Sequence, residues 1–435
     1  MRFLGIGVGS ELGDMYLRLA AAGHEVRVYS SELAQHGVMQ GLLLHVADWR
    51  AQLDWVRDAG VDGAIVFESA DAGAEQDQLR RDGFAVIGGS ALGDRLENDR
   101  AFGQSVLAEA GMTTAATHTF CDFEQAIAFI REHPRRYAFK LNGSALSSWR
   151  NYVGQADDGS DLIALLQGQQ ARLAAVDSAD VSFLLMDYLS GVETGIGAYF
   201  NGERFLEPAC LDWEHKRFFV GDLGELTGEM GTLVTYRDTQ RLFSLTLQKL
   251  APWLRESGYV GYINLNTIIN EHGIWPLELT CRFGYPGFAI LDVLQSDGWA
   301  SLFRTLLGRR ETSFSTAPGY AVGVVLTVPP FPYRYGYAEI SKGLPIHFHP
   351  ELSAEQRGRL HYGEVALVGG QLVASGVVGY LMVATGNGAT VQEAQASAYQ
   401  LASRVLVPNL RYRTDIGDGF LKTGRATLQR LGYLS

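Results

Sequence analysis

The sequence predicts an α/β protein in three parts: a doubly wound parallel sheet at the N-terminus, a central region that opens with a small αβ unit and continues into an antiparallel sheet, and a last region of short strands and one helix. Three observations carry this reading. Over residues 1–90, short apolar strands alternate with helical segments, the pattern of a parallel sheet covered by its crossover helices. From Val181 the pattern changes to long strand runs joined by turns. The length, 435 residues, exceeds what one ordinary core organises, so two to four domains are expected.

Taken in order, "RFLGIG" reads as a strand and "SELGDMYLRLAAAG" as a helix, with Ser10 at its N-cap and Gly23 at its end. "HEVRVYS", "DGAIVFES" and "FAVIGG" are the next strands, with a helix to about Arg81 before the last. One long helix is expected over Arg95 to Gly111. "TTAATHTF", the helix "DFEQAIAFIREH" and the strand "RYAFKLNG" make a further αβ unit. "VSFLLMDYLSG", "VETGIGAYFNG" and "ERFLEPACLDW" then predict one antiparallel sheet, with Asn201-Gly202 as a hairpin turn. A helix over 240–257 precedes "YINLNTIINEHGIWPLELT", two strands joined at Asn270–Gly273. The last region has short strands and one helix, "TVQEAQASAYQLASRVL".

Composition excludes several classes. Hydrophobic content of 47% with 19% charged residues is globular. A formal net charge of −12 argues against nucleic acid or an anionic membrane as partner, because phosphate contacts need excess Lys and Arg. Cys121, Cys210 and Cys281 have no metal-ligand spacing, which fits a reducing cytoplasm. No apolar run is long enough to span a bilayer, and the N-terminus lacks the signature of a signal peptide.

Four stretches carry candidate chemistry. In "GIGVGSELG", Gly7, Gly9 and Ser10 lie between a strand and a helix, which is either a tight turn or a backbone site for an anion. The spacing is one residue longer than the dinucleotide fingerprint, and no acidic residue ends the second strand, so NAD is not expected. Lys140 ends an apolar strand, either snorkelling to water or meeting a nucleotide phosphate. Asp212, Glu214, His215, Lys216 and Arg217 fall within six residues, a solvated face or a clamp for phosphate or carboxylate. In "PLELTCRFGYPG", Glu278, Thr280 and Arg282 alternate along a core strand, and Asn266 lies on the preceding strand. Oxygen ligands from two adjacent strands suit Mg²⁺, and an arginine beyond them suits a phosphoryl group. A structural Glu–Arg pair is the alternative.

Together these stretches resemble the ATP-grasp carboxylate–amine ligases, and among them glycinamide ribonucleotide synthetase (phosphoribosylamine–glycine ligase), over nearly the whole chain. That family's Glu-Phe-Asn-Cys-Arg-Phe-Gly-Asp-Pro-Glu strand stands here as "ELTCRFGYPG". Its Asp-His-Lys-Arg stretch, followed by Asn-Thr-Gly-Gly-Met-Gly, stands as "EHKRFFVGDLGELTGEMG", and its hinge as "MDYLSGVE". The resemblance implies an N-terminal domain over 1–93, an ATP-grasp domain of two αβ lobes over 94–312 and a small α+β C-terminal domain over 313–435. It implies ATP with Mg²⁺ (or Mn²⁺), a carboxylate and an amine as small-molecule substrates, and a monomer or homodimer. Glu278, with Asn266 and Thr280, would hold the metal. Arg100, Lys140, Asp187, Leu189 and Glu193 would bind the nucleotide, with Glu193 on the ribose and Arg100 where the family has lysine. Lys216, Arg217 and Arg282 would converge on the phosphoryl group in flight, and Gly7, Gly9, Ser10, His215 and Tyr285 would meet substrate.

The departures set the expectation for the substrate. Thr280 replaces the family's metal-binding asparagine, and "NGSALSSWRNYVG" replaces its glycine-rich phosphate loop. The first-lobe turn is "GVGSELGD" instead of Gly-Gly-Arg-Glu-His, and "YPG" replaces Asp-Pro-Glu. The expected activity is therefore ADP-forming amide ligation with an amine other than phosphoribosylamine. The rival reading is a catalytically silent ATP-grasp homologue that binds a ligand or partner.

Overall fold

The computed structural model describes residues 1–141, 151–173, 182–309 and 314–435. The altered phosphate loop expected from Asn142 and the domain boundary expected near 312 fall largely outside them.

The first unit comprises β1 (Arg2–Gly7), α1 (Gly13–Ala21), β2 (Glu25–Ser30), α2 (Leu53–Asp58), β3 (Gly63–Phe67), α3 (Gly73–Arg81) and β4 (Val86–Ile87). Its strands are all parallel, in the order β2-β1-β3-β4. β1 and β3 are buried along most of their length, as strands covered on both faces must be. Gly23 ends α1 at φ 86°, as the sequence suggests. Ser10 does not cap α1: the N-cap is Leu12, and Ser10 itself lies at φ 58°, turning the chain before the helix begins.

The helix expected over 95–111 is two helices, α4 (Ala91–Asn98) and α5 (Arg100–Glu109). Asp99 breaks it by adopting an extended conformation and accepting the Phe102 N–H at 3.0 Å, an N-cap that restarts the helix in a new direction. The next lobe holds β5 (Thr117–Phe120), α6 (Phe123–Glu132), β6 (Tyr137–Leu141), β7 (Tyr152–Val153), α7 (Ser160–Leu173) and β8 (Phe183–Asp187). Its sheet runs β5-β8-β6-β7. β8 thus joins this small sheet and not the long antiparallel one predicted for it, because its apolar run fits between β5 and β6. Phe139 and Phe183 fill the lobe core with Ile127, Ile130 and Leu162; each such side chain contributes about 1.5–3 kcal/mol on burial.

The second lobe contains β9 (Val192–Asn201), β10 (Cys210–Glu214), the hairpin β11 (Arg217–Phe219) and β12 (Leu223–Leu226), β13 (Gly231–Thr235), α8 (Gln240–Leu245), α9 (Ala251–Glu256), β14 (Val260–Asn270), β15 (Gly273–Thr280), α10 (Gly287–Asp292) and α11 (Gly298–Leu306). The helix expected over 240–257 is split into α8 and α9, since Pro252 lacks the N–H a continuous helix needs and sits in the first turn of α9. The C-terminal segment contributes β16 (Tyr320–Thr327), α12 (Tyr337–Ile340), β17 (His347–Phe348), α13 (Ala354–Gly358), β18 (Leu360–Tyr362), β19 (Val365–Val368), β20 (Gln371–Ala374), β21 (Tyr380–Gly388) and α14 (Val391–Ala402), the last begun by a Thr390–Glu393 capping box. One sheet crosses both segments in the order β15-β14-β9-β10-β13-β16-β21-β18. All three cysteines are free, and no described helix is long and apolar enough to cross a membrane.

Candidate active site

A cavity of about 1360 Å³ lies between the small sheet and the large one. Strand periodicity aims its walls. In β6, Tyr137 and Phe139 are buried in the lobe core, which turns Ala138 and Lys140 toward the cavity. In β15, Leu279 enters the main core, while Glu278 and Thr280 line the opposite face. A bulge sets this register: Thr267 pairs with Pro276 but Asn266 pairs with Glu278, so Leu277 is the extra residue. Pro276 has no N–H to give the ladder, and Gln104 on α5 donates to the Pro276 and Leu277 carbonyls at 3.2 and 2.9 Å. In β9, Gly195 leaves room for Asp212, since a Cβ there would fall 2.0 Å from the carboxylate.

Charge is concentrated at Glu278. It meets Arg100 at 2.9 Å, Lys216 at 3.1 Å and Lys140 at 3.7 Å. Lys216 and then Lys140 hold its carboxyl well below the usual carboxylate range. Burial, reinforced by Arg100 and Lys216, pulls Lys140 down to about 8 despite Glu278. For Lys216, burial would lower the ammonium, but Glu214, Glu278 and Glu193 outweigh it and hold it high. Those three carboxylates lie 3.1–3.3 Å from its nitrogen.

The sequence-predicted residues divide into two groups. Glu278 and Asn266 are cross-strand neighbours as expected, and Asn266 donates to Glu193 at 2.7 Å. Thr280 lies opposite Asn264 on the same wall. Asp187 and Leu189 border the cavity, with Asp187 paired to Arg135 at 3.2 Å. Lys216, Arg217 and Arg282 all border it, yet their head groups do not converge. Arg217 donates to the Gly224 carbonyl at 2.7 Å, across the β11–β12 hairpin. Arg282 pairs with Glu97 on α4 at 3.0 Å, and Glu97 also accepts the Cys281 N–H at 2.7 Å. His215 accepts the Gly417 N–H at Nε2, which leaves its ring proton on Nδ1, and burial with Arg413 nearby lowers its pKa.

The glycine turn is not part of this cavity. A Cβ on Gly7 would meet the Glu68 carboxylate at 2.4 Å, and one on Gly9 would meet the Gln35 amide at 2.2 Å. The protein's own side chains fill the space that an anion would need. Glu68 accepts the Leu12 N–H at 3.4 Å, and burial with Glu11 nearby raises its carboxyl to about 8. The Ser10 hydroxyl is buried without a partner. Tyr285 borders the cavity with its ring 4.7 Å from that of Tyr380. Residues the sequence reading left without roles, Glu97, Arg136 and Glu229, also line the walls, as does Asp212 of the charged cluster. Asp212 carried a signal, its place in the charged cluster; Glu97 carried none, being one polar residue in a helix.

The donor set at Lys216 has the chemistry of a magnesium site, with carboxylate oxygens surrounding a cation. Spacing around an ammonium is wider than the ~2.1 Å of Mg–O bonds. Among the described residues no three His, Cys, Asp or Glu side chains are grouped closely enough to hold a metal. Mg²⁺ held by one or two carboxylates and completed by nucleotide phosphates fits these residues, with Glu278 and Asn266 as donors.

Residues 98–288 match the phosphoribosylglycinamide synthetase ATP-grasp (A) domain. The chain is similar to the phosphoribosylamine–glycine ligase of Pseudomonas aeruginosa, 28% identical over 352 residues, covering 78% of this chain and 79% of that one. Its fold is similar to the crystal structure of the phosphoribosylamine–glycine ligase of Thermotoga maritima, with a TM-score of 0.72 at 23% identity over 96% of this chain and 100% of that one. It is also similar in fold to the biotin carboxylase domain of the Hydrogenobacter thermophilus 2-oxoglutarate carboxylase, in complex with MgADP, ADP and bicarbonate, with a TM-score of 0.64 at 12% identity over 97% of each chain.

Proposed function

The chain is an ATP-grasp carboxylate–amine ligase similar to phosphoribosylamine–glycine ligase, and from that premise we propose that it activates a carboxylate as an acyl phosphate and joins it to an amine other than phosphoribosylamine. The observation that carries this is the meeting of Arg100, Lys140, Lys216 and Glu278 at one point of the cavity. Three cations around one carboxylate offer a polyphosphate charge-assisted contacts. Asp187, Leu189 and Glu193 border the side where the nucleoside would lie.

A substrate carboxylate oxygen attacks the γ-phosphorus, and the bond from that phosphorus to the bridging oxygen breaks, releasing ADP. A neutral amine then attacks the acyl carbon; the carbon–oxygen bond to phosphate breaks, and the nitrogen gives up a proton. Lys140, Arg100 and Lys216 neutralise phosphate oxygens as negative charge shifts toward the leaving ADP. Bound Mg²⁺ would supply further charge neutralisation, with Glu278 holding it.

Two features support an amine other than phosphoribosylamine. The glycine turn, which is the first-lobe position for a phosphate in the sequence reading, is filled by Glu68. Tyr285, replacing the first carboxylate of Asp-Pro-Glu, presents a ring to the cavity where a ribose would need acceptors. The test is ADP release from Mg-ATP with pooled acids and amines, run beside glycine with freshly made phosphoribosylamine. Efficient turnover of phosphoribosylamine, and of nothing better, overturns the reading.

A further inference from the structure

Asp212, Glu214, Glu229 and Thr232 form one wall of the cavity. β10 and β13 bring them together: Glu214 pairs with Thr232, Asp212 lies two residues along on the same face, and Glu229 precedes β13. The carboxylates Glu278, Glu193 and Glu214 are matched by Arg100, Lys140 and Lys216. Asp212 and Glu229 join no ion pair among the described residues. They are 5% and 7% exposed, and one carboxyl oxygen of each has no hydrogen-bond partner. The Thr232 hydroxyl, on a residue 2% exposed, is also without a partner.

Buried polar atoms left unpaired are costly, and a site that keeps them is built to receive a ligand that pairs them. Carboxyl groups gathered in one buried wall ionise most readily beside a cation, and a bound phosphate or carboxylate would oppose that ionisation. A second metal ion is the competing occupant of these carboxyl groups, and the Mg²⁺ titration below decides between the two. Glu229 also stands where the ligase motif Asn-Thr-Gly-Gly-Met-Gly has its second glycine, so this carboxyl is a feature of the present chain.

We infer that this wall binds a protonated amino group on one of the two organic substrates, a group that does not react, so that the substrate is a diamino acid or a diamine. The inference rests on the ligase reading above. Burial and Glu214 raise Asp212 to about 8, and burial, Glu214 and Asp212 raise Glu229 well above the usual range; an arriving ammonium relieves this strain and draws a proton off the wall. A site built to pair a charged group rejects the uncharged analogue of the same shape.

The experiment uses pairs of equal length in which one terminal amino group is replaced by methyl, with the whole protein and saturating Mg-ATP: L-lysine against L-2-aminoheptanoate as acid, and 1,4-diaminobutane against pentylamine as amine, each with pooled partners; the neutral twin is the member without charge at that end. At least one cationic member should show kcat/KM tenfold or more above its neutral twin. Glu229→Gln should remove most of that difference and leave the KM for Mg-ATP within twofold. Equal or better turnover of the neutral twins overturns the inference, as does a preference that survives in both Glu229→Gln and Asp212→Asn. If no pair turns over, the ligase reading is what fails, and calorimetry decides the wall. Binding of lysine or diaminobutane, but not of the neutral twins, to the MgADP-saturated protein supports it; no difference overturns it. Mg²⁺ titrated alone is the last arm, and a loss of Mg²⁺ affinity in Glu229→Gln would make the wall a metal site and overturn it.

Discussion

Glu278 and Lys216 are 62 residues apart in the chain, yet the Lys216 ammonium donates to the Glu278 carboxylate at 3.1 Å. Each neutralises the other until nucleotide arrives. Glu278→Gln leaves three partly buried cations without their shared anion, at a cost between the ~0.2–1 kcal/mol of an exposed pair and the ~3–5 kcal/mol of a fully buried one. ATP phosphates can replace the missing charge, but a metal cannot be held. The variant is expected to melt lower, to bind metal-free ADP at least as well as the parent, and to lose the enhancement that Mg²⁺ gives. Titrations with and without Mg²⁺ check this; an undiminished Mg²⁺ effect would count against the metal role.

Lys140 gives nucleotide binding a pH dependence. Its folded pKa is lowered to about 8 by burial first, then by Arg100 and Lys216. The unfolded chain therefore holds the proton more firmly between about 8 and 10.4, and this group makes folding more favourable as pH rises through that window. Phosphate binding needs the charged form, so affinity for MgADP should fall above pH 8, approaching tenfold per unit from this group alone. Lys140→Met should bind more weakly and show a flatter profile between pH 7 and 9.5. Parallel profiles in calorimetry would show that another group titrates.

Asp14 ties α1 to β18. It accepts from Arg18 at 2.6 Å and from the Tyr362 N–H at 3.1 Å, and lies 2.9 Å from the buried His361. Burial would raise its pKa, but His361 and Arg18 outweigh burial and hold it at about 2. Its folded pKa is below the unfolded one, so its stabilisation, roughly 2–3 kcal/mol, is complete above the unfolded value near 3.9 and is lost as pH falls toward 2. Urea midpoints at pH 6 and 3 should differ less in Asp14→Asn than in the parent. An unchanged difference would show that this carboxyl does not drive acid unfolding.

Arg413 anchors the β11–β12 hairpin. Its guanidinium is 1% exposed and donates to the Arg217 carbonyl at 2.8 Å, to Asp222 at 2.9 Å and to Asp415 at 2.7 Å. Arg413→Met should cost about 3 kcal/mol, the low end for breaking a buried pair. It should also open the hairpin to protease at the exposed Phe219–Leu223 tip. A thermal melt and timed proteolysis test the two effects separately.

The parts legible in the sequence were those set by local chemistry. The turn at Asn270–Gly273 was enough to place Asn266 and Glu278 on adjacent strands, but counting back from it sets Asn266 opposite Leu277, and only the bulge makes Glu278 its partner. What failed depended on distant partners. Nothing near Gly7 announces that Glu68 will fill its turn, and β8 has the apolar pattern of either sheet. Arg282 lines the cavity, but its pairing with Glu97, on a separate helix, was not legible beside it in the sequence. From the sequence, Asp212 reads as either a solvated face or a clamp, and Glu229 has no role, because burial is a property of the assembled sheet.

β13 gains its second neighbour late. Gly231 pairs with Val324 on β16, so a nascent chain carries an open β13 edge for roughly a hundred residues of synthesis, about 5–20 s on a ribosome. An unpaired edge is a template for another chain. The hazard therefore belongs to translation and not to the finished protein: slow codons between the two strands should lower soluble yield, while leaving the molecules that do fold indistinguishable from any others.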